Sequence, residues 1–502
     1  MRSRLLWPLL AAAGGVLWGA SFGRVPLGVA AAFTLVPLPL LLAHPRPGAL
    51  AFVHGLASWL TALYWIVPTL VTYGGLSAPL AVALTTLLAS FLALFHAVFG
   101  WLGGPLWRRC EALPRLLALP ALWVALEWLR TYFLGGFPWN LAAYAWIAVP
   151  GALPLASFIG AYGISFLLLF SAVGVATTIE RAARGGRRRW APLGVGLAVP
   201  LLLLAPAGRW SLRRAEQESG LAARAGLPVR LLQPDIPNLV RWDEGAVLRN
   251  YRKVVAMSSA ECEPGALVVW PESAAWPFLY GRDALLDRDL AAQLRRGCAV
   301  LFNSSFPVGD SFYNSAFLLV PGEPAVRYDK RHLVPFGEYV PFKAVFSFLH
   351  KLARTIGEYR PADRLALLPW RGQLLGPAIC YEVVFPEETA ALTRAGATIL
   401  VTVTNDAWYG DTWAPWQHLR AARFRAAENR RPMLRAAITG VSALINPDGS
   451  VAAELGVFEE GVIRGRVAGS SGLTPYARRP WLPPLLCSAA TPFAIYFSRR
   501  RS

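Results

Sequence analysis

Charge is scarce in this chain of 502 residues: Asp, Glu, Lys and Arg make up 16% of it, whereas apolar residues make up 55%. Soluble globular domains carry about 25% charge, so the balance excludes a plain soluble enzyme of two or three domains and puts a membrane protein first. Cysteine is scarce as well. The five residues Cys110, Cys262, Cys298, Cys380 and Cys487 stand far apart with no CxxC pair, which excludes a zinc knuckle and a dense disulfide framework. Six histidines, without HExxH or paired ligand spacing, offer no zinc site. No metal and no cofactor is therefore expected. Internal repeats and low-complexity segments are absent too.

Long apolar runs are what the chain has in place of charge. A bilayer core needs roughly 20 apolar residues per helix, and seven runs near that length fill residues 5–21, 25–43, 50–72, 79–102, 113–133, 156–178 and 191–207. An eighth covers 481–497. Breaks such as "AHPRPG" and "TYGGLSAP" carry turn signals. The first run, behind "MRSR", has the short apolar core of a signal peptide, but the train of spans after it argues that it is retained. Lys and Arg exceed Asp and Glu by 49 to 30. The arginines gather in "MRSR", "WRRCEALPR" and "ERAARGGRRR" on one side, while "TYGGLSAP" on the other has none, so the amino terminus is expected in the cytoplasm. The last run then returns the chain to a basic "SRRRS". Topology accounts for these arginines, which removes the case for nucleic acid. Glu127 in "ALWVALEWLR" is the only acidic residue well inside a run. It is expected to pair with Arg130, and without broken-helix pairs it makes a poor transporter site.

The expected division is a helical frame over 1–210, an extracytoplasmic domain over 221–469 and a last span over 478–498. The middle part reads as α/β, with strands in "VRLLQP", "ALVVWP", "AVLFNSSF", "AFLLVP", "GPAICY" and "ATILVTVTN" and helices over 246–259, 287–296, 386–395 and 416–430. Three strand ends finish on reactive groups: Glu272 after "ALVVWP", Lys330 after "AVRYD" and Cys380 after "GPAI". Active sites of α/β domains gather at such ends. A carboxylate, an ammonium and a thiol together supply base, oxyanion stabiliser and nucleophile. Taken singly, each has a plainer role: Cys380 as buried core, Glu272 as a cap, Lys330 as a solvated charge. His332 and His418 read as structural, Asn405 and Asp406 as turn residues and Gly337 as a turn glycine. Cys110 and Cys487 read as small buried hydrophobes. Cys262 and Cys298 bond only if their region faces an oxidising compartment.

Taken together, "PES", "YDKRHLVPFGEYVP", "ICYE" and "VTNDAWYGDTWAPWQHLRAARFRAAENRRP" resemble the carbon–nitrogen hydrolase (nitrilase) superfamily. On an eight-span frame they look like its membrane branch, the apolipoprotein N-acyltransferases. The resemblance implies a membrane helical bundle carrying a nitrilase-like αββα sandwich on the periplasmic side of the bacterial inner membrane. It places the catalytic residues at Glu272, Lys330 and Cys380, with Glu338, Tyr381 and Glu382 in support and Trp139 and Trp242 on the substrates. Trp139, Trp242 and Trp276 are expected near a lipid entrance. The implied reaction moves an acyl chain from a phospholipid, through a cysteine thioester, to the terminal amine of a diacylglyceryl lipoprotein. Ala143, Trp146 and Ile438 stand where the family usually has glycine, glutamine and asparagine. Two rivals remain at this point: a membrane-tethered amidase with water as acceptor, and a scaffold without catalysis.

Overall fold

A computed structural model describes residues 2–185, 190–237, 244–335, 337–339 and 359–500. The chain divides into two compact units, one made of 1–212, 412–420 and 479–502, the other of 213–411 and 421–478. The division falls inside one helix, Ala414–Asn429.

The first unit is helical. Among the described residues four helices are long and apolar enough to cross a membrane: Ala78–Arg109, Ala112–Gly135, Ala152–Ala183 and Ala191–Ser211. A fifth candidate is the pair Pro47–Ala62 and Ile66–Thr72, bent by 51°. Sequence alone reads 50–72 as one span. The ring of Pro68 meets the carbonyl four residues back and takes a donor out of the helix, and the break falls just ahead of it. The run over 25–43 is likewise no single helix. It forms Gly28–Ala30, Ala31–Thr34 and Pro37–Leu41, with Pro37 and Pro39 preventing one continuous ladder. Leu5–Ala20, Gly28–Leu41 and Leu482–Tyr496 are apolar but shorter.

Close backbone approach holds this unit together. A Cβ on Gly15 would stand 2.1 Å from the His54 carbonyl oxygen, and one on Gly19 2.4 Å from that of Ser58. Only glycine lets helices Arg2–Ala20 and Pro47–Ala62 press together this way. Outward positions such as Leu9, Leu87 and Leu202 are exposed apolar side chains, as a lipid-facing surface requires.

The second unit contains two six-stranded sheets. The first has the order β12-β1-β2-β3-β4-β5, formed by β1 (Leu227–Gln233), β2 (Leu267–Val269), β3 (Ala299–Val308), β4 (Ser311–Leu319), β5 (Val326–Asp329) and β12 (Gly461–Val467). The second has the order β11-β10-β9-β8-β7-β6, formed by β6 (Leu368–Trp370), β7 (Gln373–Ile379), β8 (Ile399–Thr404), β9 (Met433–Ala437), β10 (Ser442–Ile445) and β11 (Val451–Leu455). Valine, isoleucine and leucine from both sheets interleave, among them Val229, Leu231 and Val269 with Leu375, Ile379 and Leu434. The outer face of the first sheet is covered by helices Glu244–Ala260 and Ala284–Arg295 through Tyr251, Val254, Leu286 and Leu290. On the second sheet, helix Pro386–Arg394 brings Leu392 against Gly376 of β7. Cys262 and Cys298 form a disulfide, which ties the turn after the first of these helices to the start of β3. Cys110 and Cys487 form no disulfide and are half-buried rather than fully enclosed.

Candidate active site

Strands β2 and β3 run parallel, as do β7 and β8, so their carboxyl ends open toward the loops that carry polar groups. Glu272 lies just beyond β2. The next residue, Ser273, takes a positive φ of 64°, a turn that takes the chain out of the strand direction right after the carboxylate. Cys380 follows β7 with φ 53°. A side chain with a Cβ rarely holds that conformation, and persists in it only where its surroundings over-determine it. Here Glu382 does so, accepting the Ile379 N–H at 2.7 Å.

Glu382 reaches further. Its other oxygen accepts from the Tyr328 hydroxyl (2.9 Å) and from the N–H groups of Arg331 (2.7 Å) and His332 (3.2 Å). One buried carboxylate thus staples the end of β5, next to Lys330, to the end of β7, next to Cys380. Burial lifts its pKa to about 7, against the pull of Lys330 and of these donors. Tyr381 is also buried and sets its ring edge-on to Phe385.

Lys330 is 1% exposed. Its ammonium donates to both oxygens of Glu338, at 3.0 and 2.9 Å. Burial alone would depress its pKa, but Glu338 and Glu272 outweigh that and hold it above the ordinary lysine range. Glu338 also accepts the Val334 N–H at 2.8 Å. The Asn314 side-chain nitrogen donates to Glu338 at 2.7 Å and to Glu272 at 3.0 Å, so a single amide group spans two carboxylates. Asn303 fixes that amide by donating to its oxygen at 2.6 Å. The other oxygen of Glu272 accepts the Asn405 N–H at 2.9 Å.

Glu272 and Lys330 both act on the Cys380 thiol. Burial pushes the thiol up, Glu272 adds to the rise and Lys330 opposes it, so the sulfur rests as a neutral S–H beside a carboxylate that can take its proton. Asp406 stands close as well, in a fully buried pair with Arg435 at 2.6 Å, while the Thr404 hydroxyl donates to it at 2.8 Å. Burial, with Asp406 and Glu272 adding to it, raises the Tyr409 phenol far above its usual range, and its coupling to Cys380 puts this ring near the same thiol. Sequence reasoning missed Asn303, Asn314, Arg435 and Tyr409. The signal for Asn314 was "YNSAF", an amide side chain inside a strand whose other polar residues are only small serines and a tyrosine.

Other expected residues join this cluster only through a backbone N–H, as His332 and Asn405 do, or not at all. His332 packs its ring on Phe385 at 3.7 Å. Asn405 caps a turn, accepting the Ala407 N–H. Trp242 lies outside the described residues. Trp139 does not face an open surface: it is 3% exposed in the helical unit. Its indole N–H donates to Gln417 at 2.7 Å, and its ring lies 5.6 Å from Trp65 and 5.5 Å from His418. Gln417 is fully used, also accepting from Trp65 and donating to the Phe22 and Ala62 carbonyls. Trp276 is the one of the three expected entrance tryptophans described as exposed. Ala143, Trp146 and Ile438 are all buried.

A carbon-nitrogen hydrolase family model matches residues 229–476, and one for the apolipoprotein N-acyltransferase N-terminal domain matches 14–174. An apolipoprotein N-acyltransferase of Geobacter metallireducens is 36% identical over 94% of this chain and 91% of its own length. One from Azotobacter vinelandii is 37% identical over 95% and 92%, and one from Vibrio cholerae 30% identical over 99% and 98%. Among solved structures, a mutant amidase from Nesterenkonia sp. AN1 aligns with 51% of this chain and 97% of its own at 20% identity and a TM-score of 0.38, a likeness too loose to bear on activity. By the match of both halves and the identity along nearly all its length, this chain belongs to the apolipoprotein N-acyltransferase family.

Proposed function

We propose that Glu272, Lys330 and Cys380 carry out an acyl transfer in two stages, from a membrane phospholipid to the amino-terminal amine of a diacylglyceryl lipoprotein. The observation that carries this reading is the raised, neutral thiol set against a carboxylate and an ammonium that are themselves held by one asparagine and one second carboxylate.

Glu272 takes the thiol proton as the sulfur attacks the ester carbonyl. The oxyanion that forms is met by the Lys330 ammonium and a backbone N–H near Tyr381. Collapse breaks the ester C–O bond, Glu272 returns the proton to the leaving alkoxide, and a lysophospholipid departs from a Cys380 thioester. The lipoprotein amine then attacks the thioester carbonyl, yields a proton to Glu272, and leaves as an amide while the sulfur is reprotonated. Such a relay gives ping-pong kinetics. Glu338 and Asn314 keep Lys330 and Glu272 in register through both stages. Glu382 sets the distance between Lys330 and Cys380.

The helical unit suits substrates that are both lipid-anchored. Trp276 and Trp242 handle the acyl chains, whereas Trp139 acts from inside its cage by fixing the loop that holds it. The apolar runs are read as eight crossings, the arginine placement as putting the α/β domain on the periplasmic side, and family membership as placing the chain in the inner membrane. The Cys262–Cys298 disulfide supports the periplasmic side, since such bonds persist in oxidising compartments. The hydrolytic amidase reading has only the fold in its favour.

Mass spectrometry of the purified chain after incubation with phospholipid tests the proposal. An acyl adduct on Cys380, lost in Cys380→Ala and discharged by a diacylglyceryl peptide as N-acyl product, is the expected result. An adduct that survives Cys380→Ala, or release of free fatty acid alone, overturns it.

A further inference from the structure

Apolar helices usually enclose dry space, but one pocket in the helical unit, apolar over most of its lining, also takes in several buried polar side chains. It has a volume of about 30 Å³ and is lined by Ser58, Trp59, His96, Trp123, Glu127 and Asn140 along with apolar side chains. Glu127, Asn140 and His96 are each at least nine-tenths buried. Both polar atoms of the Asn140 amide and the indole nitrogen of Trp59 have no hydrogen-bond partner in the protein, and the second oxygen of Glu127 stands toward the Trp123 indole and the Ser165 hydroxyl without a well-formed bond to either. Donors and acceptors are mixed in this set. A small molecule that both gives and takes hydrogen bonds satisfies it, and the space exceeds the roughly 10–15 Å³ that one water needs in a cavity.

We propose that this cavity is a hydration site, holding one or two ordered waters that bridge the second oxygen of Glu127 to the Asn140 amide. The neighbouring contacts give the site its purpose. Arg130 donates to the carbonyls of Phe137 and Trp139, at 2.6 and 2.8 Å, and the first oxygen of Glu127 accepts the Ala142 N–H at 2.7 Å. Asn140 lies between these anchor points with φ 52°, a left-handed turn that asparagine tolerates. Two charged residues on one helix therefore grip the loop on either side of Asn140, and the water ties down its middle. His54, buried and without a protein partner, stands 5.8 Å from His96 and continues the polar seam away from the loop. This site makes Asn140 a positioning residue for the segment that carries Trp139. The inference does not depend on which residue is the nucleophile.

A high-resolution cryo-electron microscopy map of the full chain in nanodiscs is the test. Density within hydrogen-bond distance of both Glu127 and Asn140, at oxygen-like separations, is the expected result. No density with the side chains in place, direct pairing of Glu127 with Asn140, or a peak with the short separations of a metal ion overturns the proposal. A second measurement guards against variants that fold poorly. Glu127→Gln and Asn140→Leu are each expected to lower the thermal midpoint of the full chain, and the double variant to lower it by clearly less than the two shifts added, because both remove the same bridge. Additive shifts would mean that no shared water connects them.

Discussion

Buried polar groups are handled differently at the reaction centre of the α/β unit and around the pocket of the helical unit. In the α/β unit Lys330, Glu338, Glu272 and Glu382 are joined to one another or to backbone donors by direct bonds near 2.7–3.0 Å. In the helical unit several equally buried polar atoms have no partner in the protein. The difference teaches what each is built to do. A reaction centre needs groups whose orientation is settled before the substrate arrives, and direct bonds to rigid strands provide that. A packed helical frame needs only that no polar group stay unsatisfied, and a trapped solvent molecule meets that need.

The sharpest way to break the comparison is at the direct bonds. Cys380→Ala is expected to remove transfer altogether, a loss of about 10⁴-fold or more in single-turnover rate. Glu272→Gln and Lys330→Met come next, with losses of about 10²–10⁴-fold in thioester formation measured by quenched flow with mass detection. If either variant keeps full acylation rate, the network around Asn314 serves folding instead of chemistry.

Stability offers the next contrast. The Cys262–Cys298 bond closes a loop with a sequence separation of 36, which corresponds to about 3–4 kcal/mol of unfolded-state entropy. Reduction, or Cys262→Ser with Cys298→Ser, is expected to lower unfolding stability in the α/β unit by about that much, read by chemical denaturation with and without reductant. Cleavage patterns under limited proteolysis should change there and leave the helical frame unaltered.

Glu382 makes a pH prediction with two opposite signs. Its carboxylate must be ionised to accept from Ile379, Arg331, His332 and Tyr328 at once, so acylation should rise with pH through about 7. Its folded pKa is raised. Its contribution to folding stability is therefore full below the ordinary glutamate range and is lost as pH climbs to about 7. Glu382→Gln should flatten both profiles, checked by pH–rate and pH–stability series on the same preparation. The smallest effect is expected for Cys110→Ser and Cys487→Ser, half-buried and outside any disulfide, each within about 0.5–1 kcal/mol. They leave Cys380 as the one cysteine outside the Cys262–Cys298 disulfide, for labelling.

The sequence was most readable where chemistry sits at the end of an apolar run. "ALVVWP", "AVRYD" and "GPAI" each mark a strand, and the residue past each is a reactive group, so Glu272, Lys330 and Cys380 stood out. The strands β9 to β12 did not. "MLRAA", "VAAEL" and "GVIRGRV" put arginine or glutamate inside short runs, and Arg435 belongs in a buried strand only because Asp406 meets it there. That is a tertiary fact with no local trace. The shared amide of Asn314 was hidden for the same reason, since its partners lie tens of positions away; the left-handed turn at Cys380 is held by nearby Glu382 but leaves no mark in residue type. In the helical unit, composition announced the apolar runs but not their breaks at Pro37 and ahead of Pro68.

Gly15 and Gly19 set a limit on how this frame can drift. Where two main chains touch, no side chain intervenes, so no swap on the partner helix can make room for an added methyl group. A saturation library should find these two positions closed to nearly every replacement, whereas Leu9, Leu10 and Val16 on the same helix, exposed on its outer face, should accept almost any oily residue.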